Sequence, residues 1–257
     1  MVTQVFRRPL NFQLVKRPRL ARLAVGTLVK YYSALQAHSR GTSRQDTRTR
    51  LSRLHTEYYS KNANTMTLTP STDPLVWIDC EMTGLDSTSD RILSISCYVT
   101  DHRLNLVEEE GCHAIIATSK SVLDRMGEWC QKTHGQNGLI KACLSSAAVS
   151  ADYAAFDVLA YIQKHVAKPR TALLAGNSVH ADKMFLMQQP WIPILDHLHY
   201  RILDVSAIKE AAKRWCDQSV LDEAPTKKLT HTAKEDILES IAEARYYMGL
   251  FEQLGQR

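Results

Sequence analysis

Asp79 and Glu81 stand two residues apart at the end of the apolar run Leu75-Val76-Trp77-Ile78. If that run is a buried strand, alternate side chains face the same way, so both carboxylates project from one face about 7 Å apart along the chain. They repel one another, and the strand that carries them partly desolvates both. Such a pair is costly unless a cation or other donors compensate it. Asp182 follows a Gly176-Asn177 turn and falls in the first turn of an expected helix. Alone it would read as a complement to the helix dipole. His231 and Asp236 share the segment His-Thr-Ala-Lys-Glu-Asp-Ile, in which Thr232 and Glu235 fit the capping box S/T-x-x-E. With Thr232 as N-cap, His231 and Asp236 take the N′ and N4 positions, which the start of a helix brings into contact.

Four carboxylates and one histidine, at a strand end and at two helix starts, suit one kind of chemistry. Hard oxygen ligands select Mg²⁺ or Mn²⁺, because zinc prefers more nitrogen or sulfur. Two such ions about 3.5 to 4 Å apart can stabilise the attacking and the leaving oxygen of an in-line displacement at phosphorus. Any one of these residues is most simply a surface acid, a cap or a packed histidine. The five together, in this order, are the parts of a two-metal phosphodiesterase.

The elements that must position them can be read from periodicity. Ile92 to Val99 and Leu104 to Ile116 read as two strands joined by the turn-like Asp101-His102-Arg103, so the first three strands form an antiparallel meander. Phe156, Leu159, Ile162 and Val166 share a helical face, as do Val205, Ile208, Ala212 and Trp215. Thr171 to Ala175 and Arg201 to Val205 read as strands, each followed by a helix. A last helix, about Ala233 to Leu254, carries Ile237, Ile241, Ala244, Met248 and Phe251 at spacings of four and three. A meander followed by strand-helix alternation predicts an α/β fold with a central, mixed five-stranded sheet flanked by helices.

Composition divides the chain. The 257 residues, 44% hydrophobic, allow one good-sized core. The net charge of +5 conceals thirteen Lys/Arg against Asp46 and Glu57 in residues 1–66, a balance of +11, which leaves −6 for residues 67–257. The acidic part argues against a long basic groove that tracks many phosphates. Residues 1–66 are Arg-rich, with no acid in the first 45, and read as a mitochondrial targeting segment directing the protein to the matrix. A disordered basic arm for nucleic acid is the competing reading. Met66 could start a shorter, cytoplasmic form. Residues 67–257 are the expected catalytic domain. The six cysteines are scattered, with no C-x-x-C pair and no zinc spacing, and read as reduced and mostly core. No apolar stretch approaches the roughly 18 residues of a membrane span, so no membrane partner is expected.

The set Asp79-x-Glu81, Asp182 and His231-x₄-Asp236 resembles the DEDDh exonucleases, which have a ribonuclease H-like fold. Within that superfamily the chain is most similar to the oligoribonuclease family. The similarity lies in Trp-Ile-Asp-Cys-Glu-Met-Thr-Gly-Leu-Asp (77–86), Trp129 followed by Thr133-His134, Gly176-Asn177-Ser178, His-Tyr-Arg-Ile-Leu-Asp-Val-Ser (199–206) and His231-x-Ala233-x-x-Asp236-Ile237-x-Glu239-Ser240. These motifs run in order from residue 74 to about 254. The resemblance implies a 3′-to-5′ exoribonuclease that cuts very short RNA oligonucleotides, dinucleotides above all, to 5′-mononucleotides. It implies two metal ions held by Asp79, Glu81, Asp182 and Asp236, with His231 as general base, a task suited to a side chain titrating near neutrality. It further implies that Leu85 wedges against a base, that Trp129 forms the base pocket, and that Ser178, Arg201 and Ser206 cap the 5′-phosphate. Tyr200 would reach that phosphate from the other subunit of a homodimer. The segment Glu-Trp-Cys-Gln-Lys-Thr-His departs from the Asn often found after the tryptophan, and the loop from Asp217 to Leu229 is less family-like than its surroundings.

Two other readings compete. One is a DEDDh exonuclease acting on longer RNA or on DNA, which the acidic domain and the 199–206 segment disfavour. The other is a catalytically dead nucleotide-binding protein on the same fold, whose usual mark is a lost ligand or histidine; all five residues are present.

Overall fold

The apolar run that ends in Asp79 forms a strand, β1 (Leu75–Met82), in a computed structural model that describes residues 73–226 and 233–255. The described elements continue as β2 (Ile92–Thr100), β3 (Cys112–Ile115), α1 (Lys120–Leu123), α2 (Glu128–Gln136), α3 (Leu139–Cys143) and α4 (Ala151–His165). They are followed by β4 (Leu173–Gly176), α5 (His180–Leu186), α6 (Ile192–His197), β5 (His199–Asp204), α7 (Val205–Trp215), α8 (Gln218–Asp222) and α9 (Ala233–Gly255). The targeting segment expected over residues 1–66, Met66 and the boundary at 66/67 lie outside the described residues, as do His231 and its cap Thr232.

The sheet has five strands in the order β3-β2-β1-β4-β5. β1 pairs antiparallel with β2, and β2 with β3, so the expected meander forms. On its other edge β1 pairs parallel with β4, and β4 with β5. The mixed five-stranded α/β sheet read from the sequence is therefore the one observed.

Strand alternation divides β1 between two cores. Val76, Ile78 and Cys80 enter a cluster with Ala155, Val158 and Ile162 of α4 and Phe185 of α5. Trp77 enters a second cluster with Val205 and Ala212 of α7 and Ile237, Ile241, Ala244 and Tyr247 of α9. Asp79 and Glu81 continue the alternation of Trp77, toward the α9 side. The Trp77 indole, wholly buried, donates from Nε1 to Thr100 Oγ1 at 3.0 Å. This satisfies the one polar group of a large apolar anchor, two residues from the first acid.

Three expectations shift in detail. Leu104 to Ile116 is not one strand. Asp101 Oδ1 accepts the N–H groups of Arg103 and Asn105, taking donors that a ladder would need, and Leu104 has φ 65. Apart from a single antiparallel bridge between Leu106 and Thr100, continuous strand pairing resumes at β3. The buried face of α4 centres on Ala154, Ala155, Val158 and Ile162, leaving Phe156 and Leu159 half-buried. The stripes of α7 and α9 hold at their starts but end on exposed Trp215 and Phe251. The cysteines behave as read: all six are free and four are buried.

Gly111 leads into β3 at φ +62, and a Cβ there would lie 2.7 Å from the Tyr98 ring and 2.8 Å from Cys97 O. Gly111→Ala is therefore expected to lower stability by about 2 to 4 kcal/mol, from strain and overpacking together. Urea unfolding of the two proteins measures the difference.

Candidate active site

Five of the described residues that the sequence marked for metal or phosphate chemistry sit at or just past the carboxyl end of a parallel strand, whereas Tyr200 and Arg201 lie at the opposite, starting end of β5. The carboxyl end is where ligands of open α/β sheets bind, because the chain there leaves the sheet in loops and helix starts. Asp79 and Glu81 end β1, Ser178 and Asp182 follow β4, and Ser206 follows β5. Asp236 arrives from the first turn of α9, which packs against the Trp77 face of β1. One oxygen each of Asp79, Glu81 and Asp236 lie within 4.8 Å of one another. Residues more than 150 positions apart thus supply one cluster because alternation aims both β1 acids at the helix that carries the third.

Asp182 approaches from the other core. Its carboxylate is buried, and Oδ1 accepts the N–H of Cys80 at 2.9 Å, between the two β1 acids. The helix-dipole reading is therefore too weak for this residue: it is a bonded partner of the β1 terminus. Beside it the turn after β4 brings Ser178 Oγ to 3.2 Å from Ser206 Oγ. Buried Glu243 of α9 accepts from Asn177 Nδ2 at 2.9 Å and meets Lys209 Nζ at 3.1 Å, which ties that turn to the helix bearing Asp236.

The apolar candidates are open to solvent. Leu85 is 81% exposed, Trp129 63% and Tyr200 65%, far more than large apolar groups need to be. The Arg201 guanidinium lies over the Tyr200 ring, 5.0 Å from its centroid. Trp129 projects from α2, which rests on the third cluster of Leu93, Leu123, Met126, Leu139 and Cys143. Its ring stands edge-on to His134, with centroids 6.3 Å apart.

His134 is one residue whose role the sequence does not reveal. It is 1% exposed, its Nε2 lies 2.9 Å from Met82 O, and its Nδ1 stands 3.9 Å from Glu81 Oε2. It links the tryptophan helix to the end of β1. The Thr133-His134 dipeptide was visible, but no spacing in sequence connects it to Glu81.

The RNase_T: Exonuclease family model matches residues 76–244. A probable oligoribonuclease of Drosophila melanogaster is 45% identical over 196 residues, which are 76% of this chain and 90% of that one. The chain belongs to the oligoribonuclease family. A probable oligoribonuclease of Schizosaccharomyces pombe is 47% identical over 68% of this chain and 67% of its own. A Homo sapiens relative named "Oligoribonuclease, mitochondrial" is 41% identical over 67% of this chain and 71% of its own. Among solved structures, E. coli Exonuclease I in complex with a dT13 oligonucleotide superposes with a TM-score of 0.52 at 14% identity, over 71% of this chain and 43% of that one. That likeness is one of fold, and this chain spans about two fifths of that protein. As an oligoribonuclease-family exonuclease, this protein is a divalent-metal-dependent hydrolase of phosphodiester bonds.

The electrostatics fit that dependence. Burial, then the charges of Asp236 and Asp182, push the Glu81 carboxyl up to about 7. Burial likewise pushes Asp182 up to about 7, against the Cys80 bonds that favour its ionised form. The Glu81 shift marks buried negative charge that the protein leaves uncompensated, and a hard divalent cation among the three convergent oxygens would supply the compensation. Cys80 contributes no nucleophile. Burial, then Asp182 and Asp79, hold its thiol well above its ordinary value.

The raised values fix the sign of a pH effect. The folded metal-free protein holds the Glu81 and Asp182 protons more tightly than the unfolded chain does. That contribution to stability is complete below the ordinary carboxylate range and is lost as pH rises through about 7. The metal-free Tm should therefore fall between pH 6 and pH 8, and saturating Mn²⁺ should raise it more at pH 8, because ligation needs ionised carboxylates. A Tm unaffected by Mn²⁺ at either pH would contradict this.

Proposed function

We propose that this protein is a 3′-to-5′ exoribonuclease that degrades short oligoribonucleotides, especially dinucleotides, to 5′-mononucleotides. One observation carries the reading: the convergence of Asp79, Glu81 and Asp236 oxygens within 4.8 Å at the same sheet edge as the paired Ser178 and Ser206 hydroxyls. A cleavage site and a short anion-binding site thus share one strand-end face.

In this reading Asp79, Glu81, Asp182 and Asp236 hold two Mg²⁺ or Mn²⁺ ions. Such a pair, when bound, stabilises the attacking and leaving oxygens of an in-line displacement at phosphorus. His231 takes a proton from the attacking water as its oxygen bonds to phosphorus. The bond from phosphorus to the 3′ oxygen of the preceding nucleotide breaks, and that oxygen takes up a proton from solvent while His231 later returns its own to solvent. The products are a 5′-mononucleotide and a chain end with a 3′-hydroxyl. Leu85 and Trp129 offer exposed apolar surface on which bases can stack.

Ser178, Ser206 and Arg201 receive the terminal 5′-phosphate through charge-assisted hydrogen bonds that an internal phosphodiester cannot copy. This cap sets substrate length. The net charge of −6 over residues 67–257 agrees with it, since a two-nucleotide ligand presents little polyanion to track. Tyr200, exposed on the edge strand β5 beside Arg201, is positioned to serve a second subunit of a homodimer. Among the described residues no helix is long and apolar enough to cross a membrane. The mitochondrial matrix is the proposed location, supported by the Arg-rich composition of residues 1–66 and by relatives from Saccharomyces cerevisiae and Homo sapiens named as mitochondrial. A cytoplasmic form starting at Met66 is a further part of the proposal.

The deciding experiment is a product time course with 5′-labelled RNAs of two to ten nucleotides, with Mg²⁺ and with EDTA. Metal-dependent release of mononucleotides, fastest from the dinucleotide, is expected. Rates that stay level or rise with length would favour the alternative of an exonuclease for longer RNA or for DNA. Asp79→Ala should lose metal binding and nearly all turnover. His231→Ala should still bind Mn²⁺ but fall by at least about 100-fold in kcat, and normal turnover would remove it as the base. Arg201→Ala should raise KM for dinucleotides more than for longer chains.

A further inference from the structure

One carboxylate ties together the turns that follow β4 and β5. Asp204 Oδ1 accepts the N–H of Ser178 at 2.9 Å and the N–H of Ser206 at 3.0 Å, the second bond capping α7. Its Oδ2 lies 3.2 Å from His180 Nδ1. Ser178 has φ 50, a left-handed conformation that a residue with a Cβ keeps only when its surroundings hold it. The bond from its N–H to Asp204 provides that hold. The Ser178 N–H also lies 3.0 Å from Ser206 Oγ, so the two serines are fixed to each other as well as to the aspartate. The resulting 3.2 Å between the hydroxyl oxygens lets both donate to the oxygens of one phosphoryl group.

A carboxylate next to an anion site is unfavourable by charge alone. Asp204 avoids the conflict by its placement. Its side chain is 12% exposed, and both its oxygens are turned toward N–H groups and the His180 ring. We infer that Asp204 is a positioning residue for 5′-phosphate recognition, holding Ser178 and Ser206 in register from behind without touching substrate. The inference rests on the reading of Ser178, Arg201 and Ser206 as the terminal-phosphate cap. Its role differs from theirs: they supply donors, and Asp204 sets the donors' spacing.

The test uses the full chain and a pair of diribonucleotides, one with a 5′-phosphate and one with a 5′-hydroxyl. Asp204→Ser keeps a good N-cap for α7, but its shorter side chain cannot reach across to Ser178. Asp204→Asn keeps an acceptor oxygen of the same reach. The wild type is expected to prefer the phosphorylated dinucleotide. Asp204→Ser should shrink that preference about tenfold, through KM rather than kcat, whereas Asp204→Asn should restore most of it. A general weakening of the fold would lower both substrates alike and leave the ratio intact. An Asp204→Ser variant with the wild-type ratio overturns the positioning role alone. A wild type that ignores the 5′-phosphate overturns the cap reading, and the inference falls with it.

Discussion

Mutual repulsion among carboxylates at the carboxyl end of β1 is the constraint to which the surrounding structure answers. Asp79, Glu81 and Asp236 converge, with Asp182 bonded at Cys80 N between them. Packing alone would never assemble such a group, because its members are hard to ionise there: burial, then the charges of Asp236 and Asp182, raises the Glu81 carboxyl, and burial raises that of Asp182. The assembly persists because two apolar cores, one on each face of the sheet, hold the elements that carry the acids. Trp77 and Ile237 lie in one, and Val76, Ile78 and Phe185 in the other. Hydrophobic burial thus maintains an arrangement that electrostatics without a cation opposes.

The same division explains why cleavage and phosphate recognition can be adjacent. The segment from Gly176 to Asp182 leaves β4, presents Ser178 on one side and reaches β1 through Asp182 on the other. Glu243, two helical turns beyond Asp236, binds Asn177 in that segment. A displacement of α9 would therefore move one acid and the serine turn together. This is coupling by direct contact through packed elements, and it needs no conformational change.

The exposed apolar side chains stand apart from this rigid centre. Leu85, Trp129 and Tyr200 sit on loop, helix and edge strand around it, where a nucleotide base or a second subunit could cover them. Of these carriers, α2 is tied to the acids through His134 and its approach to Met82 O and Glu81. A net charge of −6 over residues 67–257 suits a small ligand held by specific contacts.

The five-stranded mixed sheet was legible in the sequence because alternation and helical periodicity are local signals, carried by runs such as Leu75–Met82 and by the α9 stripe. So was the acidic set, since Asp79 and Glu81 are two apart on one strand, and that spacing alone puts them on one face. Local signals failed where a side chain redirected the backbone. Asp101 took the N–H groups that would have extended the third strand toward Leu104. The roles of His134, Glu243 and Asp204 were not legible, for another reason. Each acts on a residue tens of positions away, His134 on Met82, Glu243 on Asn177 and Asp204 on Ser178. Residue type and periodicity along the chain establish which side chains could do the chemistry and on which elements they ride. How those elements meet at the strand ends follows from the packed fold, because long-range contact depends on packing that no spacing along the chain encodes.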